Sequence, residues 1–438
     1  MKRSTFREKL RSRIATFFSD QRGSMITLTA VSMTAVMGFA GLGVDVAMWY
    51  SEKRSTQSMA DAAAVAATYA IRQGASLADV QDAAHAEAVR NGFVDGPGNA
   101  ITVSNATGTV VPGGVPVANI AVTRQVPVFL AGLFLQNNPS VTANSTGGVR
   151  SLGDLCVIGL DHDASKTVNF AGNAEAYFRC GVSSDSSAED ALFVGGNAIL
   201  MANPAQAYGD IVVANGGTLI SEVSPLTLSQ RIGDPFANGP HTLVAETMGA
   251  CDINGLAVSG VQTLDPAVDG NGTSVRICGD FSVKPGAFLT MKPGTYYVEG
   301  GSVLFQGTVI GDEVSIVLTG ATSADVGTID IRAQSAVSLS APPTGDYAGI
   351  VVYQNKIAGP DGTNKFNGGA SMAINGAIHI ANQSVTYNGG MDVAGCTKLV
   401  ARIVNFVGTS FLRNTPSMCT AVGLENAGTE QEQVVLLQ

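Results

Sequence analysis

Three groups of carboxylates lie close to one another or to a basic residue, and such groups could do chemistry. They are Asp161 and Asp163 with Lys166, Asp312 with Glu313, and Asp325 and Asp330 with Arg332. Paired carboxylates can act as acid and nucleophile on a glycosidic bond, and clustered oxygens can bind Ca²⁺. Turns also favour Asp, because its side chain accepts hydrogen bonds from the neighbouring backbone. No calcium loop or nonapeptide repeat accompanies these groups, so the turn interpretation is favoured and we expect no metal and no cofactor.

Nucleophilic catalysis has less support still. No Ser lies in a Gly-x-Ser-x-Gly elbow, and the sequence has no Gly-x-x-x-x-Gly-Lys-Ser/Thr phosphate loop. The histidines are His85, His162, His241 and His379. The net charge is −10, and the chain after residue 22 carries −15 because the first 22 residues carry +5. An acidic body argues against a nucleic-acid partner, and we expect a protein that is not an enzyme.

The sequence contains six cysteines, and all of them follow its longest apolar run. They are Cys156, Cys180, Cys251, Cys278, Cys396 and Cys419, with separations of 24, 27 and 23 residues within successive pairs. An even number favours disulfides in an oxidising compartment, whereas zinc sites need cysteines two to four residues apart. Sequential pairing is the simplest of about 15 connectivities.

The apolar run, residues 24–44, is the element to which everything else is attached. Its 21 residues include no charge, and as a helix they would span ~30 Å, the thickness of a bilayer's hydrocarbon core. Seven basic residues and two acidic ones precede it, which predicts a cytoplasmic N-terminus. Asp45 follows the run, and Trp49 with Tyr50 would lie at the membrane surface. A cleaved signal peptide is disfavoured because its apolar region is usually about 7–15 residues long.

A small α+β region is predicted after the span. Residues 45–72 contain no Pro or Gly and include an Ala-rich run around Asp61, so the anchor helix should continue through them. Ser76 and Asp79 form a capping box for a second helix that ends near Asn91. Alternating patterns then predict strands at 101–104, 115–128 and 141–144. The apolar stretch 126–135 is too short to span a membrane and is interpreted as a core strand with a short helical turn.

The residue pattern changes from Cys156 onwards, where short apolar runs alternate with turns that contain Gly and Asn, here called corners. The corner at Phe170–Asn173 is repeated at Phe193–Asn197, and the corner at Phe366–Gly369 is repeated at Tyr387–Gly390. A repeat of about 20–25 residues without helices is typical of a β-solenoid, similar to a right-handed β-helix. A β-sandwich remains the alternative, because short strands with turns at this spacing also fit it.

Residues 22–24, 41–50 and 57–67 resemble the N-terminal region of TadG-like proteins of the Tad/Flp pilus assembly family. Weaker Gly-rich similarity to the C-terminal region of long TadG-like proteins occurs at 156–161, 180–182 and 347–353. Related minor pilins carry Glu five residues after a cleavage-site Gly, but Leu28 follows Gly23 at that distance, so no processing is predicted. Larger members carry a von Willebrand factor A domain, whose Asp-x-Ser-x-Ser metal motif is missing from this sequence.

Together these features predict five segments: a basic leader (1–23), a transmembrane helix (24–50), an α+β stalk (51–150), a β-solenoid (151–420) and an acidic tail or cap (421–438). The resemblance implies a non-enzymatic structural component of a bacterial pilus assembly or export apparatus. It would cross the inner membrane once, with its bulk in the periplasm or outside the cell. Partners would be the lipid bilayer and other pilus-assembly membrane proteins or minor pilins, and homo-oligomers are left open. Asp45, Trp49 and Asp61 are the matched positions for anchoring and interaction. The alternatives are a surface adhesin and a carbohydrate-active β-helix protein.

Overall fold

The computed structural model describes residues 22–104, 117–133, 135, 138–237, 250–369, 371–390, 395–412, 414–424 and 430–437. Nearly all of the predicted basic leader, and His241, lie outside these ranges. The chain divides into an N-terminal unit, Met1–Arg150 with Gln433–Gln438, and a C-terminal unit, Ser151–Glu432.

The N-terminal unit is built on one long helix. Its elements are α1 (Arg22–Arg72), α2 (Leu77–Arg90), β1 (Ala100–Ser104), β2 (Val117–Gln125), a 3₁₀ turn (Ala131–Leu133) and β3 (Ser140–Gly159), which continues into the C-terminal unit. The apolar run and the Ala-rich segment form a single helix of 51 residues, as the sequence predicts. The capping box between Ser76 and Asp79 is present at the start of α2, and Asn91 follows its last turn.

The second half of α1 packs closely on an antiparallel sheet. β2 pairs with β1 on one side and with β3 on the other. The buried helix side chains are small and follow helical spacing, among them Ala60, Ala63, Ala64 and Ala67. A Cβ at Gly147 of β3 would lie 2.2 Å from the Thr68 hydroxyl and 2.5 Å from the Ala64 carbonyl. The small alanine side chains of the helix and the glycine of β3 together allow the helix and the sheet to approach each other closely.

The stretch 126–135 was predicted to be a core strand with a short helical turn. The strand part of that interpretation was wrong, but the helical turn is present as the 3₁₀ turn at Ala131–Leu133. Among the described residues of the stretch, Val126 and Ala131 are buried, whereas Phe129 is 74% and Leu133 76% exposed. Strand β2 ends at Gln125, before Pro127, which has no N–H to continue a ladder. The described residues of this stretch form a loop around the 3₁₀ turn, and the loop exposes Phe129, Leu133 and Leu135.

The C-terminal unit is a β-solenoid, and its described strand pairs are parallel. In chain order the strands of its first part are β4 (Val168–Phe170), β5 (Glu175–Phe178), β6 (Gly181–Ser184), β7 (Leu192–Val194), β8 (Ile199–Met201), β9 (Ala205–Ala207), β10 (Ile211–Val213) and β11 (Thr218–Ile220). In its second part they are β12 (Ile253–Val258), β13 (Val261–Leu264), β14 (Ser274–Val283), β15 (Phe288–Met291), β16 (Gly294–Glu299), β17 (Val303–Phe305), β18 (Thr308–Gly311), β19 (Val314–Thr319), β20 (Ile329–Ile331), β21 (Ala336–Ser340), β22 (Ile350–Gln354), β23 (Thr363–Gly369), β24 (Met372–Gly389) and β25 (Thr397–Leu412). Two short helices, α3 (Pro266–Asp269) and α4 (Pro416–Ala421), and a last strand β26 (Glu430–Leu437) complete the described chain. Since a β-sandwich is antiparallel, that alternative is excluded for the described strands.

The rungs of the solenoid do not stack in chain order. Within each part, each strand pairs with its equivalent in the next repeat. For example, Phe366 of β23 lies opposite Tyr387 of β24. The last strand of the solenoid, β25, pairs with β24 on one edge and with β3, β4 and β5 on the other. The first and last rungs are therefore neighbours in the middle of the stack, a connection that no repeat in the sequence indicates.

Aromatic side chains fill the solenoid interior across this junction. The ring of Phe406 on the last rung lies 4.6 Å from Phe170 and 5.1 Å from Phe178 on the first rung, and 5.8 Å from Tyr387 on the preceding one. Phe170, Tyr387 and Phe406 are all almost inaccessible to solvent. The sequence repeat aligned Phe170 with Phe193, but in the structure the two strands are shifted by one residue from this alignment. Phe170 pairs with Val194.

Three disulfides link adjacent segments of the C-terminal unit. Cys156 bonds to Cys180, Cys251 to Cys278, and Cys396 to Cys419. The bonded cysteines are 24, 27 and 23 residues apart in the sequence, as the sequential pairing predicts. The first two bonds fasten neighbouring rungs, and the third joins Cys396, next to β25, to Cys419 of helix α4.

A segment between the two parts, residues 226–237, runs across several rungs, and we refer to it as the strap. Its first residue, Leu226, forms a bridge with Gln206. The Ile232 and Gly233 amides each donate to the Asp185 carboxylate at 2.8 Å. Further along, Asp234 bonds to His379, on a rung beyond the junction.

Candidate membrane anchor and interaction site

The first half of α1 presents an apolar surface without a protein covering. Within the described ranges, α1 is the helix that is long and apolar enough to cross a membrane, and only 6% of its most apolar window is buried. Its large exposed side chains, each more than half exposed, include Met25, Ile26, Leu28, Val31, Val36 and Phe39. The hydroxyls of Thr29 and Ser32 donate to carbonyls one turn back, so these polar residues do not expose free donors. Such a helix surface is suited to lipid and not to a protein core.

Asp45 connects the end of this apolar surface to the loop 126–135. Its carboxylate accepts hydrogen bonds from the backbone N–H groups of Phe129 at 2.6 Å, Leu130 at 2.9 Å and Ala131 at 2.6 Å. The Asp45 side chain is fully enclosed by the protein. These donors begin the 3₁₀ turn and would otherwise lack intrachain partners, so the carboxylate acts as its cap. The partners lie 84–86 residues away in sequence, which is why no sequence pattern indicated them.

A glycine one turn earlier makes room for the same loop. A Cβ at Gly41 would lie 2.6 Å from Cδ2 of Leu130 and 3.1 Å from its Cβ. At Gly38 and Gly43 a Cβ would meet nothing within 4 Å. Only Gly41 of these three is therefore required by packing, and the loop reaches back beside the apolar run itself.

The two other matched positions lie further along α1. Trp49 is half-buried, and its indole N–H has no hydrogen-bond partner among the described residues. Tyr50 is 66% exposed, with the Arg54 guanidinium 5.7 Å from its ring centre. The Asp61 carboxylate accepts a 2.8 Å hydrogen bond from Gln57, whose amide also reaches the Asn144 carbonyl.

Asp61 also borders an open groove of about 510 Å³ on the N-terminal unit. The groove lies between α1 and α2 and is mainly apolar; its residues are Asp61, Ala62, Val65, Ala66, Tyr69, Glu87 and Leu436. Near the membrane end of the same unit, Glu52 and Arg124 form an ion pair at 3.0 Å. The structure thus places Asp45 and Asp61 on one helix but in separate environments.

The carboxylates that could have done chemistry serve local structure. Asp161 accepts from the N–H groups of Asp163 and Ala164 at 3.0 and 2.8 Å and pairs with Arg402 at 2.8 Å. Burial acts to raise the pKa of Asp161, but the backbone donors and Arg402 outweigh it and lower that pKa below its ordinary value. A low pKa suits a permanent acceptor and not a general acid.

The other two groups are engaged in the same way. Asp325 accepts from the Thr322 N–H and hydroxyl, and Asp330 pairs with Arg332 at 3.0 Å. Asp312 accepts from the Ser340 hydroxyl at 3.0 Å. In the part of the chain that the structure describes, no three His, Cys, Asp or Glu residues are grouped so that they could hold a metal ion.

One buried polar cluster was missed by the sequence. Nε2 of His379, a residue inaccessible to solvent, lies 2.9 Å from one oxygen of Asp234, and Nζ of Lys356 lies 2.8 Å from the other. Burial acts to raise the pKa of Asp234, but the hydrogen bonds and charges of His379 and Lys356 lower it far below its ordinary value. Since 145 residues separate Asp234 from His379, no local motif could have indicated the pair. Its effect is to fasten the strap to the solenoid.

Comparison with known proteins finds similarity at the N-terminal end. Residues 23–84 match the family model described as Flp pilus-assembly TadE/G-like. The matched region contains the apolar run, Asp45, Trp49, Asp61 and most of α2. No curated protein and no solved structure matches the chain.

Proposed function

Since this chain carries a TadE/G-like domain of the Flp pilus-assembly type at residues 23–84, we propose that it is a membrane-anchored structural component of a Tad/Flp-type pilus assembly or export apparatus. The observation that carries the proposal is the exposed apolar half of α1, which continues without interruption into the folded part of the same domain. The anchor and its extension into the folded domain are thus one continuous helix.

Orientation and compartment follow from charge and from the cysteines. The basic leader should remain in the cytoplasm, and the remaining chain should cross the inner membrane. Three disulfides in the C-terminal unit support an oxidising location, such as the periplasm or the cell surface. Thiol labelling before and after reduction, in intact cells, tests this location.

The role is non-enzymatic, because Asp161, Asp325 and Asp330 cap turns or form ion pairs and Asp312 accepts a hydrogen bond from the Ser340 hydroxyl. Partners would be the bilayer and other membrane proteins or minor pilins of the apparatus. Asp61 and the groove beside it are one candidate contact on the membrane-proximal unit. Detergent solubilisation of the full-length protein from native membranes, followed by mass spectrometry of what copurifies, tests for these partners.

The decisive experiment places lysines on the apolar surface. Val31 and Val36 are 72% and 66% exposed, and two lysines near the middle of a span cost about 5–7 kcal/mol on insertion. Val31→Lys/Val36→Lys should release the protein from carbonate-washed membranes and abolish pili in cells that lack the wild-type gene. The matched control is Val89→Lys/Val94→Lys, since these valines are 44% and 64% exposed outside the span. Pili that persist without membrane retention would refute a structural role, and unchanged retention would refute the anchor.

A further inference from the structure

The loop 126–135 exposes more apolar surface than a loop facing water normally would. It contains no charged residue. Phe129 is 74% exposed, Leu133 76% and Leu135 44%. Single exposed apolar residues are ordinary, but a contiguous group within one short loop indicates a binding surface.

The loop is held at a defined level of α1. Three amides bond to Asp45, the first charged residue after the apolar run, and Leu130 packs on Gly41 within that run. Four residues of helix correspond to ~6 Å, so the loop lies beside the last turn or two of the run. Leu42, Val44 and Val46 at this level of the helix are themselves 46–58% exposed. Helix and loop therefore both expose apolar side chains at the same level of α1.

We propose that residues 128–133 and Leu135 form a second membrane-contacting element, which inserts Phe129 and Leu133 into the boundary between lipid headgroups and acyl chains on the far side of the bilayer. The proposal rests on the anchor function of α1 proposed above. Lipid is the occupant that fits, because the loop is tied to the end of the lipid-facing helix and carries no charge that would have to be desolvated. Asp45 is a positioning residue, since its buried carboxylate keeps the loop backbone satisfied while the side chains face the bilayer.

Tryptophan fluorescence in lipid tests the insertion directly. The chain has a single Trp, Trp49, so Trp49→Phe gives a background without Trp. Into this full-length background Phe129→Trp, Leu133→Trp or, as the anchor reporter, Phe39→Trp is introduced singly. Each protein is reconstituted in phosphatidylcholine vesicles with phospholipids brominated at shallow or deep acyl positions, and iodide serves as the aqueous quencher.

The outcomes separate the loop from the anchor. We expect brominated lipid to quench all three tryptophans, with shallow bromines most effective at positions 129 and 133, and iodide to quench none. Iodide quenching at 129 and 133 with lipid quenching at 39 would overturn the loop proposal and leave the anchor intact. Protection of 129 and 133 from both quenchers would also overturn it, because another protein copy would then cover the loop. Absence of lipid quenching at 39 would overturn both proposals.

A second set of variants tests the positioning role of Asp45. Asp45→Asn keeps the shape, but its amide NH₂ cannot accept a backbone N–H, so at least one of the three donors loses its partner. In the Phe129→Trp protein we expect this change to shift the emission to longer wavelength and to exchange lipid quenching for iodide quenching. Asp61→Asn on the same helix is the matched control and should change neither. Identical quenching in both variants would contradict the role given to Asp45.

Discussion

Substitution of three glycines in the apolar half of α1 tests whether the loop packs on the helix as described. A Cβ at Gly41 would come within 2.6 Å of Leu130 Cδ2 and 3.2 Å of its Cγ, whereas carbon atoms normally approach to about 3.5–4.0 Å. Relief requires the whole Leu130 side chain to move. Overpacking of this kind costs about 1–3 kcal/mol.

The same substitution at Gly38 or Gly43 meets no neighbour within 4 Å. Alanine improves helix formation at all three positions by up to about 1 kcal/mol, and this gain cancels when the variants are compared with one another. The difference between Gly41→Ala and its two controls is therefore the packing cost alone. It corresponds to about a 5- to 150-fold change in the equilibrium between docked and undocked loop.

Hydrogen exchange followed by mass spectrometry measures that equilibrium locally. In full-length protein in detergent micelles, a peptide covering residues 127–135 contains the three amides that bond to Asp45. Gly41→Ala should accelerate their exchange by the factor above, while Gly38→Ala and Gly43→Ala should leave it unchanged. Wild-type exchange in Gly41→Ala, or equal acceleration in the three variants, would refute the packing of the loop on this turn.

Three further predictions concern the solenoid. Phe406→Ala should lower its free energy of unfolding by about 3–5 kcal/mol, because it removes a ring packed between rungs. Replacing Cys251 and Cys278 by Ser should lower it by about 3.5 kcal/mol, from the loop of 27 residues that the bond closes. The lowered pKa of Asp234 means that its carboxylate stabilises the fold above its ordinary pKa of about 3.9, and that this stability is lost as the pH falls towards the folded-state value. Asp234→Asn should therefore flatten the fall in stability below about pH 4.

Chemical unfolding of the full-length protein in detergent, followed by circular dichroism, checks all three. Phe288 is 36% exposed, so Phe288→Ala is the control for the buried ring and should cost far less. If the two Phe variants lost equal free energy of unfolding, the stacked interior rings would contribute no more to stability than a partly exposed one. The Cys variant should match the wild type once both are reduced. If the free energy of unfolding fell more steeply below pH 4 in Asp234→Asn than in the wild type, the ionised Asp234 carboxylate would not stabilise the fold as argued.

The sequence determined the local elements well because their causes are local. An absence of Pro and Gly predicts the continuation of α1, and the capping box at Ser76 predicts the start of α2. The corner glycines, such as Gly172 and Gly196, have positive φ angles of 69°, a conformation that Gly adopts easily. Each of these signals lies within a few residues of its effect.

What could not be predicted depends on residues far apart in the chain. The apolar stretch 126–135 looked like a core strand, because composition cannot distinguish an apolar segment that is buried in protein from one that is exposed. Asp45 and Asp234 each find their partners more than 80 residues away. The stacking order of the rungs was equally hidden, since similar repeats are compatible with more than one neighbour.

That stacking order has a consequence for how the protein is made. β25 fills the position between β24 and the first rung, and its contacts reach back across more than 230 residues, as in Asn169 with Asn405 and Asp154 with Lys398. While the chain is being synthesised, the first rung keeps one open edge until β25, at the end of the solenoid, has been made. Such non-local closure is slow, and open edges invite mispairing. A premature stop before residue 397 would thus expose two edges, that of β24 and that of the first rung, which β25 pairs in the full chain.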